Sequence, residues 1–178
     1  MKTKQMVFTA VFAALTAVGA FLKIPLGVSS ITLQFLFTAM AGILLGAKYG
    51  AWSQGVYVVL GLVGLPIFTM GGGLGYVLQP TFGFLLGLIP AAWLIGKLAS
   101  GGGRVRLALA CCGGLALLYA VGLPYMALIL NTYLGKGLSF VTILQKGMLP
   151  FLPGDALKIA VCTAVCPVLR KRIAFVEE

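Results

Sequence analysis

The sequence places an acid and a base close together near its C-terminal end, in the segment 150–161. Asp155 and Lys158 are three residues apart, so that a helix would present both on one face. Pro153 and Gly154 directly precede them and should start a helix there, with backbone N–H groups left free. Charged groups within a membrane are costly and usually mark a pathway or a ligand site. We therefore predict substrate binding at Asp155 and Lys158, with a purely structural ion pair as the alternative.

A second candidate site is the long uncharged connection at residues 64–84. Its glycines allow the backbone to approach a ligand or to change conformation, and its hydroxyl and amide groups supply hydrogen bonds. It is not a P-loop, because GK[ST] is missing. A connection of this kind is typical of a lid over an apolar cavity, although a flexible loop without a ligand is the alternative. We assign Gly72, Gly73 and Tyr76 to substrate contacts, and Gly71, Gly75, Pro80 and Thr81 to gating.

Gln34 ends a further connection, residues 24–34. Its amide can both donate and accept, which suits a ligand with a ureido or amide group, although such a residue is more often a polar helix end. Asn131 and Tyr133 are weaker candidates of the same kind.

The composition sets the environment of these groups. Of the 178 residues, 61% are hydrophobic and only 9% are charged, whereas a soluble domain has about 25% charged residues. This excludes a soluble globular enzyme, a disordered chain and a secreted disulfide scaffold. The net charge of +10 does not indicate nucleic-acid binding, because the basic residues stand singly or in short groups between apolar runs. The sequence predicts an integral membrane protein.

Six apolar stretches, each near the length of about 20 residues that spans a bilayer, occupy the chain. They are residues 6–22, 33–47, 50–67, 82–98, 106–130 and 148–169. They lack the alternation of outer-membrane strands, so that we expect an all-α membrane protein with six transmembrane helices and one domain over residues 1–178.

The basic residues orient these helices. With both termini in the cytoplasm, nine Lys and Arg fall inside and three, Lys23, Lys136 and Lys146, fall outside. The positive-inside rule therefore predicts an N-in, C-in protein with an even number of helices, and the net charge reports mainly on topology.

Small residues recur at helical spacing in the first stretch. Ala10 with Ala14, and Ala13 with Ala17, are small-xxx-small pairs, which permit close helix approach in lipid. Glycines at 42, 46 and 50, and at 83 and 87, repeat the spacing. Packing within the monomer is one interpretation, and docking of a partner membrane protein on the first helix is the other.

The sequence resembles the BioY family, the biotin-specific substrate-binding components (S-components) of energy-coupling factor (ECF) transporters. The resemblance covers nearly the whole chain and is carried by TLQ at 32–34, AGILLGAKYGAWSQ at 41–54, GLPIFTMGGGLGYVLQPTFGFLLG at 64–87 and GDALK at 154–158. The family often has GY after the PT motif, where this chain has Gly83 and Phe84, and often has Trp where Tyr125 stands.

The resemblance implies a six-helix S-component in the bacterial plasma membrane that binds biotin from outside without a cofactor. It implies a transmembrane coupling protein and two cytoplasmic ATPases as partners, docking through the alanines of helix one, and a biotin pocket that includes Asp155 and Lys158. Gln34 and the lid backbone would complete the polar contacts. Phe68, Tyr76, Trp52 and Tyr119 would cover the rings of the ligand.

Three other functions remain open. An S-component for a different vitamin would share the architecture, because a fold does not fix its ligand. A small intramembrane enzyme would use Asp155 and Lys158 as acid and base, but it would need a further catalytic group, and the chain has no histidine. A channel or structural membrane subunit would carry polar residues through the full thickness of the membrane, whereas here they gather at the outer ends of the second, fourth and sixth predicted spans.

Overall fold

The computed structural model describes residues 3–26 and 29–172. Lys2, one of the basic residues that orient the helices, lies outside these ranges, and Arg172 is described by its backbone alone. Within these ranges the chain is helical apart from one two-stranded β-hairpin and its loops. The helices are α1 (Thr3–Phe21), α2 (Gln34–Leu62), α3 (Phe82–Leu98), α4 (Arg104–Leu128), α5 (Phe140–Gly147) and α6 (Leu152–Arg172). The hairpin strands are β1 (Lys23–Leu26) and β2 (Ser29–Thr32), a 3₁₀ turn covers Leu74–Leu78, and a π-helical turn, Ile129–Tyr133, extends α4.

Helix α2 is a helical hairpin that turns at Gly46. This glycine has φ 77° and ψ 177°, a backbone conformation that residues with a side chain rarely adopt. A Cβ atom on Gly50 would lie 2.9 Å from the Cα atom of Gly42, so that the two limbs approach closely across the turn. The limbs, residues 34–45 and 47–62, correspond to the second and third predicted spans. With α1, α3, α4 and α6 they give six helical segments, as the sequence predicted.

Helix α3 lies at the centre of the bundle, with α2 on one side and α4 on the other. Glycines make both contacts close. A Cβ on Gly42 would lie 2.6 Å from the carbonyl oxygen of Ala92, and one on Gly87 would lie 3.0 Å from Leu118. Of the glycines at small-xxx-small spacing, Gly42, Gly50, Gly83 and Gly87 therefore pack within the monomer, whereas Gly46 forms the turn of α2.

The two ends of the bundle differ in charge. Tyr49 donates to Gln5 Oε1 at 2.8 Å, which brings the turn of α2 beside the start of α1. At the same end Arg106 donates to the Leu98 carbonyl at 2.7 Å and Arg170 to the Ala99 carbonyl at 3.1 Å. The positive-inside rule assigns this basic end to the cytoplasm.

The opposite, outer end carries the connections. It holds the β-hairpin, the segment 63–81 between α2 and α3, and α5 with its flanking loops. The sequence predicted neither the hairpin nor α5. Helix α5 starts at an N-cap in which the Ser139 side chain accepts from the Thr142 N–H, and its eight residues fold against α4. In the part of the chain that the structure describes, four helices are long and apolar enough to cross a membrane, Thr3–Phe21, Gln34–Leu62, Arg104–Tyr133 and Leu152–Lys171, and α3 is a shorter apolar helix.

Candidate functional site

The acid and the base that the sequence singled out lie in the first turns of α6. The Nζ atom of Lys158 is 2.7 Å from Asp155 Oδ1, and the two residues are only 7% and 4% exposed. Pro153 fits the first turn of a helix because that turn leaves backbone N–H groups without intrahelical partners. The first turn also favours an acidic residue such as Asp155, since the positive end of the helix dipole lies there.

A third side chain completes this group from another helix. The Tyr119 hydroxyl, in the middle of α4, donates to Asp155 Oδ2 at 2.6 Å. Both carboxylate oxygens therefore accept one hydrogen bond from the protein. We call Tyr119, Asp155 and Lys158 the carboxylate cluster. An ionised carboxylate offers about four lone-pair sites and an ammonium three donors, so that the cluster retains capacity for a ligand.

The carboxylate cluster faces a cavity of about 100 Å³ at the outer half of the bundle. Part of its wall is polar, and the rest is made of aromatic and aliphatic side chains. A wall of this composition suits a small ligand with one polar and one apolar part. The lining residues are Ser30, Thr32, Gln34, Phe35, Thr69, Thr81, Phe84, Leu85, Leu88, Leu118, Tyr119, Gly147, Phe151, Asp155 and Lys158.

Gln34, at the start of α2, reaches the cavity with its amide held on both sides. Its Oε1 atom accepts from the Thr32 hydroxyl at 2.9 Å, and its Nε2 atom donates to the Tyr57 hydroxyl at 2.8 Å. Tyr57 in turn donates to the carbonyl of Ile67 at 3.1 Å. The amide is therefore hydrogen-bonded to strand β2 on one side and to the second limb of α2 on the other.

Thr81 stands where the segment 63–81 enters α3, and it lines the cavity. Its Oγ1 atom is a buried side-chain oxygen for which the described residues provide no hydrogen-bond partner. A buried hydroxyl without a partner costs free energy, and such groups often serve a ligand. The sequence assigned Thr81 to gating, and its position makes it a candidate ligand contact as well.

The glycines of the predicted lid do not line the cavity. Gly73 (φ 97°) donates its N–H to the carbonyl of Gly61 at 2.7 Å, which caps the C-terminal end of α2. Gly72 is tight against backbone, since a Cβ there would lie 2.9 Å from the Gly61 carbonyl oxygen. Gly71 also has a positive φ, of 116°, whereas Gly75 adopts no unusual conformation. These residues shape the segment, and their predicted roles in ligand binding and gating stay predictions.

Three of the aromatic residues predicted to contact the ligand, Phe68, Tyr76 and Trp52, also lie outside the cavity lining, at different places in the fold. Tyr76 is buried one layer from the cavity, with its hydroxyl 2.8 Å from that of Thr69. Phe68 is buried between Tyr57 and Tyr76. Trp52, by contrast, is 57% exposed and lies outside the lining, so that the structure does not bring it to the candidate site.

Sequence reasoning missed several lining residues. Phe84, Leu88 and Leu118 face the cavity from α3 and α4, and Phe151 faces it from the turn before α6. No sequence signal separates them from other apolar residues of the spans. Asn131 uses its amide to hold the Leu138 backbone and is exposed.

The alanines of α1 lie on different faces. Ala10 and Ala14 are exposed, Ala17 is half-buried and Ala13 is buried in the core. The pair Ala10/Ala14 is therefore the one that a partner helix can reach. Within the described residues, no group of three or more Asp, Glu or Cys side chains has an arrangement that could hold a metal ion.

The fold and the cavity define a class: a multi-pass helical membrane protein with a small, partly polar cavity at its outer end. The sequence profile of the BioY family matches residues 1–175. The chain belongs to the BioY family, as the sequence motifs indicated.

Similar proteins agree with this assignment. The "Probable biotin transporter BioY" of Lysinibacillus sphaericus is 45% identical over 156 residues, which cover 86% of this chain and 80% of the relative. The "Biotin transporter BioY" of Thermotoga maritima is 35% identical over 170 residues, which cover 94% and 96%. A crystal structure at 2.1 Å of the S-component for biotin from an ECF-type ABC transporter superposes with a TM-score of 0.83 at 29% identity, and covers 96% of this chain and 92% of that one.

Proposed function

We propose that this chain is a single membrane-embedded domain that binds biotin at its outer end as the S-component of an ECF-type importer. The observation that carries the proposal is the carboxylate cluster on the wall of the cavity, in a chain of the BioY family. Membership of the family supports the ligand, and the cluster supplies the chemistry to hold it.

The chemistry of the cavity fits the three parts of biotin. Asp155 has free lone pairs that can accept the ureido N–H groups, and a charge-assisted hydrogen bond of this kind is worth about 1.5–3 kcal/mol. Lys158 pairs with Asp155 at 2.7 Å and has N–H groups left for the ureido oxygen or the carboxylate. The Thr81 hydroxyl and the Gln34 amide add neutral hydrogen bonds on the other side.

The apolar wall would cover the thioether ring and the aliphatic chain. Phe35, Phe84, Leu88 and Phe151 line the cavity. Phe84 also packs edge-on against Tyr119, with ring centroids 6.1 Å apart, so that the apolar wall and the carboxylate cluster meet. Burial of apolar ligand surface against such a wall contributes about 25 cal/mol per Å².

Residues 64–81, which we call the lid, would gate this site. The lid contributes Thr69 and Thr81 to the cavity wall and lies at the outer end of α2 and α3. Gly71 and Gly73, with positive φ angles, would permit the change of conformation, and Pro80 would stiffen the junction with α3. Gly72, Gly75 and Tyr76 belong to the same segment. Ligand would enter with the lid open and would be enclosed when it closes.

Transport would require partners. A transmembrane coupling protein and two cytoplasmic ATPases would supply the energy, with docking on the exposed face of α1 that includes Ala10 and Ala14. We expect Ala14→Leu to reduce uptake while biotin binding is retained, because the larger side chain would keep a helix of the coupling protein away from α1. Ala116→Leu, the same change at an exposed position of α4, is the matched control, and equal uptake by both variants would contradict this docking face.

The binding proposal is tested by calorimetry with biotin and a panel of other vitamins, and by mass spectrometry of the gently purified protein. We expect biotin to bind and to co-purify, and Asp155→Asn to lower the affinity at least about tenfold while the protein stays monodisperse. Tight binding of a different vitamin would reassign the substrate. Unchanged biotin affinity in Asp155→Asn would refute the site.

Gating is tested separately by a crosslink. Cysteines placed at Met70, which is 70% exposed in the lid, and at Ile24, which is exposed in β1, would be joined by a bis-maleimide reagent. Both cysteines are added to a protein with Cys112→Ala, which removes the exposed native thiol. We expect the crosslinked protein to lose uptake, and each protein with only one of the two added cysteines, treated in the same way, to keep it. Normal uptake with the lid crosslinked would contradict gating by this segment.

A further inference from the structure

Three side chains from three separate elements hold the lid by its backbone carbonyls. Because the acceptors are backbone atoms, these bonds fix the path of the lid and not its side chains. The three bonds run from Lys23 Nζ to the Thr69 carbonyl, from the Tyr57 hydroxyl to the Ile67 carbonyl at 3.1 Å, and from the Tyr125 hydroxyl to the Val77 carbonyl at 2.6 Å.

Tyr57 differs from Lys23 and Tyr125 in its burial and in its second hydrogen-bond partner. It is fully buried, whereas Lys23 is exposed and Tyr125 is half-buried. Its hydroxyl also accepts from Gln34 Nε2 at 2.8 Å, and Gln34 lines the cavity. Tyr57 is thus hydrogen-bonded on one side to a cavity residue and on the other to the lid. Tyr125 and its acceptor Val77 are both outside the cavity lining.

The ring of Tyr57 forms a second contact with the lid. Phe68 packs against it edge-on, with ring centroids 5.5 Å apart and planes at 83°. Phe68 also contacts Tyr76 at a centroid distance of 4.6 Å, and Gly61 faces the Phe68 ring where any side chain would overlap it. The apolar seat of the lid and its hydrogen bond to Tyr57 therefore occupy one place at the end of α2.

The proton arrangement makes the hydroxyl of Tyr57 sensitive to Gln34. A phenolic hydroxyl has one proton, so that it donates to Ile67 only while another group donates to it or leaves its lone pairs free. The Gln34 amide supplies that donor when Nε2 points at Tyr57 and Oε1 accepts from Thr32. A ligand group bonded to the amide would hold it in this orientation, and rotation of the amide would present an acceptor to Tyr57 instead.

We propose that Tyr57 is a positioning residue that couples occupancy of the cavity to closure of the lid, acting through Gln34 and the Ile67 carbonyl. Tyr125 holds the lid without this coupling, because its bond does not involve a cavity residue. The inference rests on the proposed function, in which biotin occupies the cavity.

The test compares two identical chemical changes. Tyr57→Phe and Tyr125→Phe each remove one hydroxyl that donates to a lid carbonyl, and both keep the aromatic ring. Each is made in a protein with Cys112→Ala and Ile67→Cys, a half-buried lid position outside the cavity lining, where the closed lid shields the thiol and the labelling rate of a membrane-impermeant maleimide reports on the opening of the lid. Cys111, Cys162 and Cys166 are buried and serve as no competing target. Rates are measured without and with saturating biotin, and biotin binding is measured in parallel.

In the parent protein we expect biotin to slow labelling at least about fivefold, the change that one hydrogen bond supports. Tyr57→Phe should reduce that ratio to below about twofold even at saturation. Tyr125→Phe should raise the labelling rates without and with biotin and keep their ratio. This is the result expected from loosening of the lid without loss of coupling. Gln34→Met, which breaks the same path from the cavity side, should reproduce the loss of the ratio at saturating biotin.

A parental ratio in Tyr57→Phe, or an equal loss in Tyr125→Phe, would overturn the inference. So would a parent protein that binds biotin and shows no change in labelling. Failure of the parent protein to bind biotin is a different result, since it would refute the proposed function directly.

Discussion

Two of the clusters of buried polar side chains in the described part of the bundle differ in their relation to the cavity, because one faces it and the other does not. The first is the carboxylate cluster between α4 and α6. The second, which we call the amide cluster, joins α1 to both limbs of α2 around the fully buried Gln54. Gln54 Oε1 lies 2.9 Å from the Thr38 hydroxyl, and Nε2 donates to Thr16 at 3.2 Å and to Ser53 at 3.0 Å.

The two clusters differ in charge and in spare hydrogen-bonding capacity. The amide cluster is neutral, and its hydroxyls also bond to carbonyls of their own helices. It joins helices in an apolar environment, where such bonds are worth about 1 kcal/mol each. The carboxylate cluster holds a charged pair and keeps unused lone pairs and N–H groups beside a cavity. Buried polar side chains therefore indicate a ligand site only where they keep unused hydrogen-bond donors or acceptors that face a cavity.

The largest expected effect is on the charged pair. Lys158→Met leaves the buried carboxylate without its counter-ion, so that we expect biotin affinity to fall at least about tenfold by calorimetry. Lys146→Met removes the same charge from an exposed position in α5 and serves as the control, with unchanged affinity expected. Equal affinities in the two variants would remove the carboxylate cluster from the ligand site.

Tyr119→Phe should come next. It removes the 2.6 Å bond to Asp155 Oδ2 and keeps the ring that packs on Phe84. We expect an affinity loss of about fivefold, since the carboxylate loses one donor and keeps its ion pair. Tyr133→Phe, on an exposed tyrosine, is the matched control. An unchanged dissociation constant for Tyr119→Phe would mean that the tyrosine serves only the packing of α4 on α6.

Thr81→Val should have a smaller effect on affinity. The valine keeps the shape of the side chain and removes the hydroxyl that lacks a protein partner. If that hydroxyl bonds to biotin, affinity falls about threefold, the value of one neutral hydrogen bond. The thermal stability of the ligand-free protein should rise or stay constant, because a buried group without a partner is removed. A drop in stability with affinity unchanged would indicate a structural role.

Gln54→Leu should leave affinity within about twofold of the wild type, the smallest effect on binding. It should lower the free energy of unfolding by about 1 kcal/mol, seen as a lower melting temperature in detergent. The hydroxyls of Thr16, Thr38 and Ser53 keep their bonds to helix carbonyls, which limits the cost. A large loss of biotin binding would contradict the separation between the two clusters.

The sequence predicted much of this arrangement where the signal was local. The spacing of Asp155 and Lys158 placed them on one helical face, and their contact at 2.7 Å confirms it. Hydropathy located the spans to within a few residues, and the glycine at 46 marks the turn between two of them. The short helix α5 and the β-hairpin were missed, because neither has the length or the charge pattern of the features that hydropathy detects.

The lid illustrates the limit. Its glycines look like ligand contacts in the sequence, since glycine allows close approach, but the same freedom serves the cap on α2 that Gly73 forms. Sequence alone does not separate these uses. Trp52 was expected near the ligand on its residue type, and the direction of its side chain from α2 was decided by packing.

The sequence by itself determined that this is a six-helix membrane protein of the BioY family, because composition, charge placement and local motifs do not depend on how helices meet. It also determined which acid and base share a face of α6. Only the tertiary structure decided that Tyr119 from α4 bonds to that acid, and that Gln34 and Tyr57 join the cavity to the lid. These contacts link residues 10 to 36 positions apart, and their formation depends on close packing of helices through small residues.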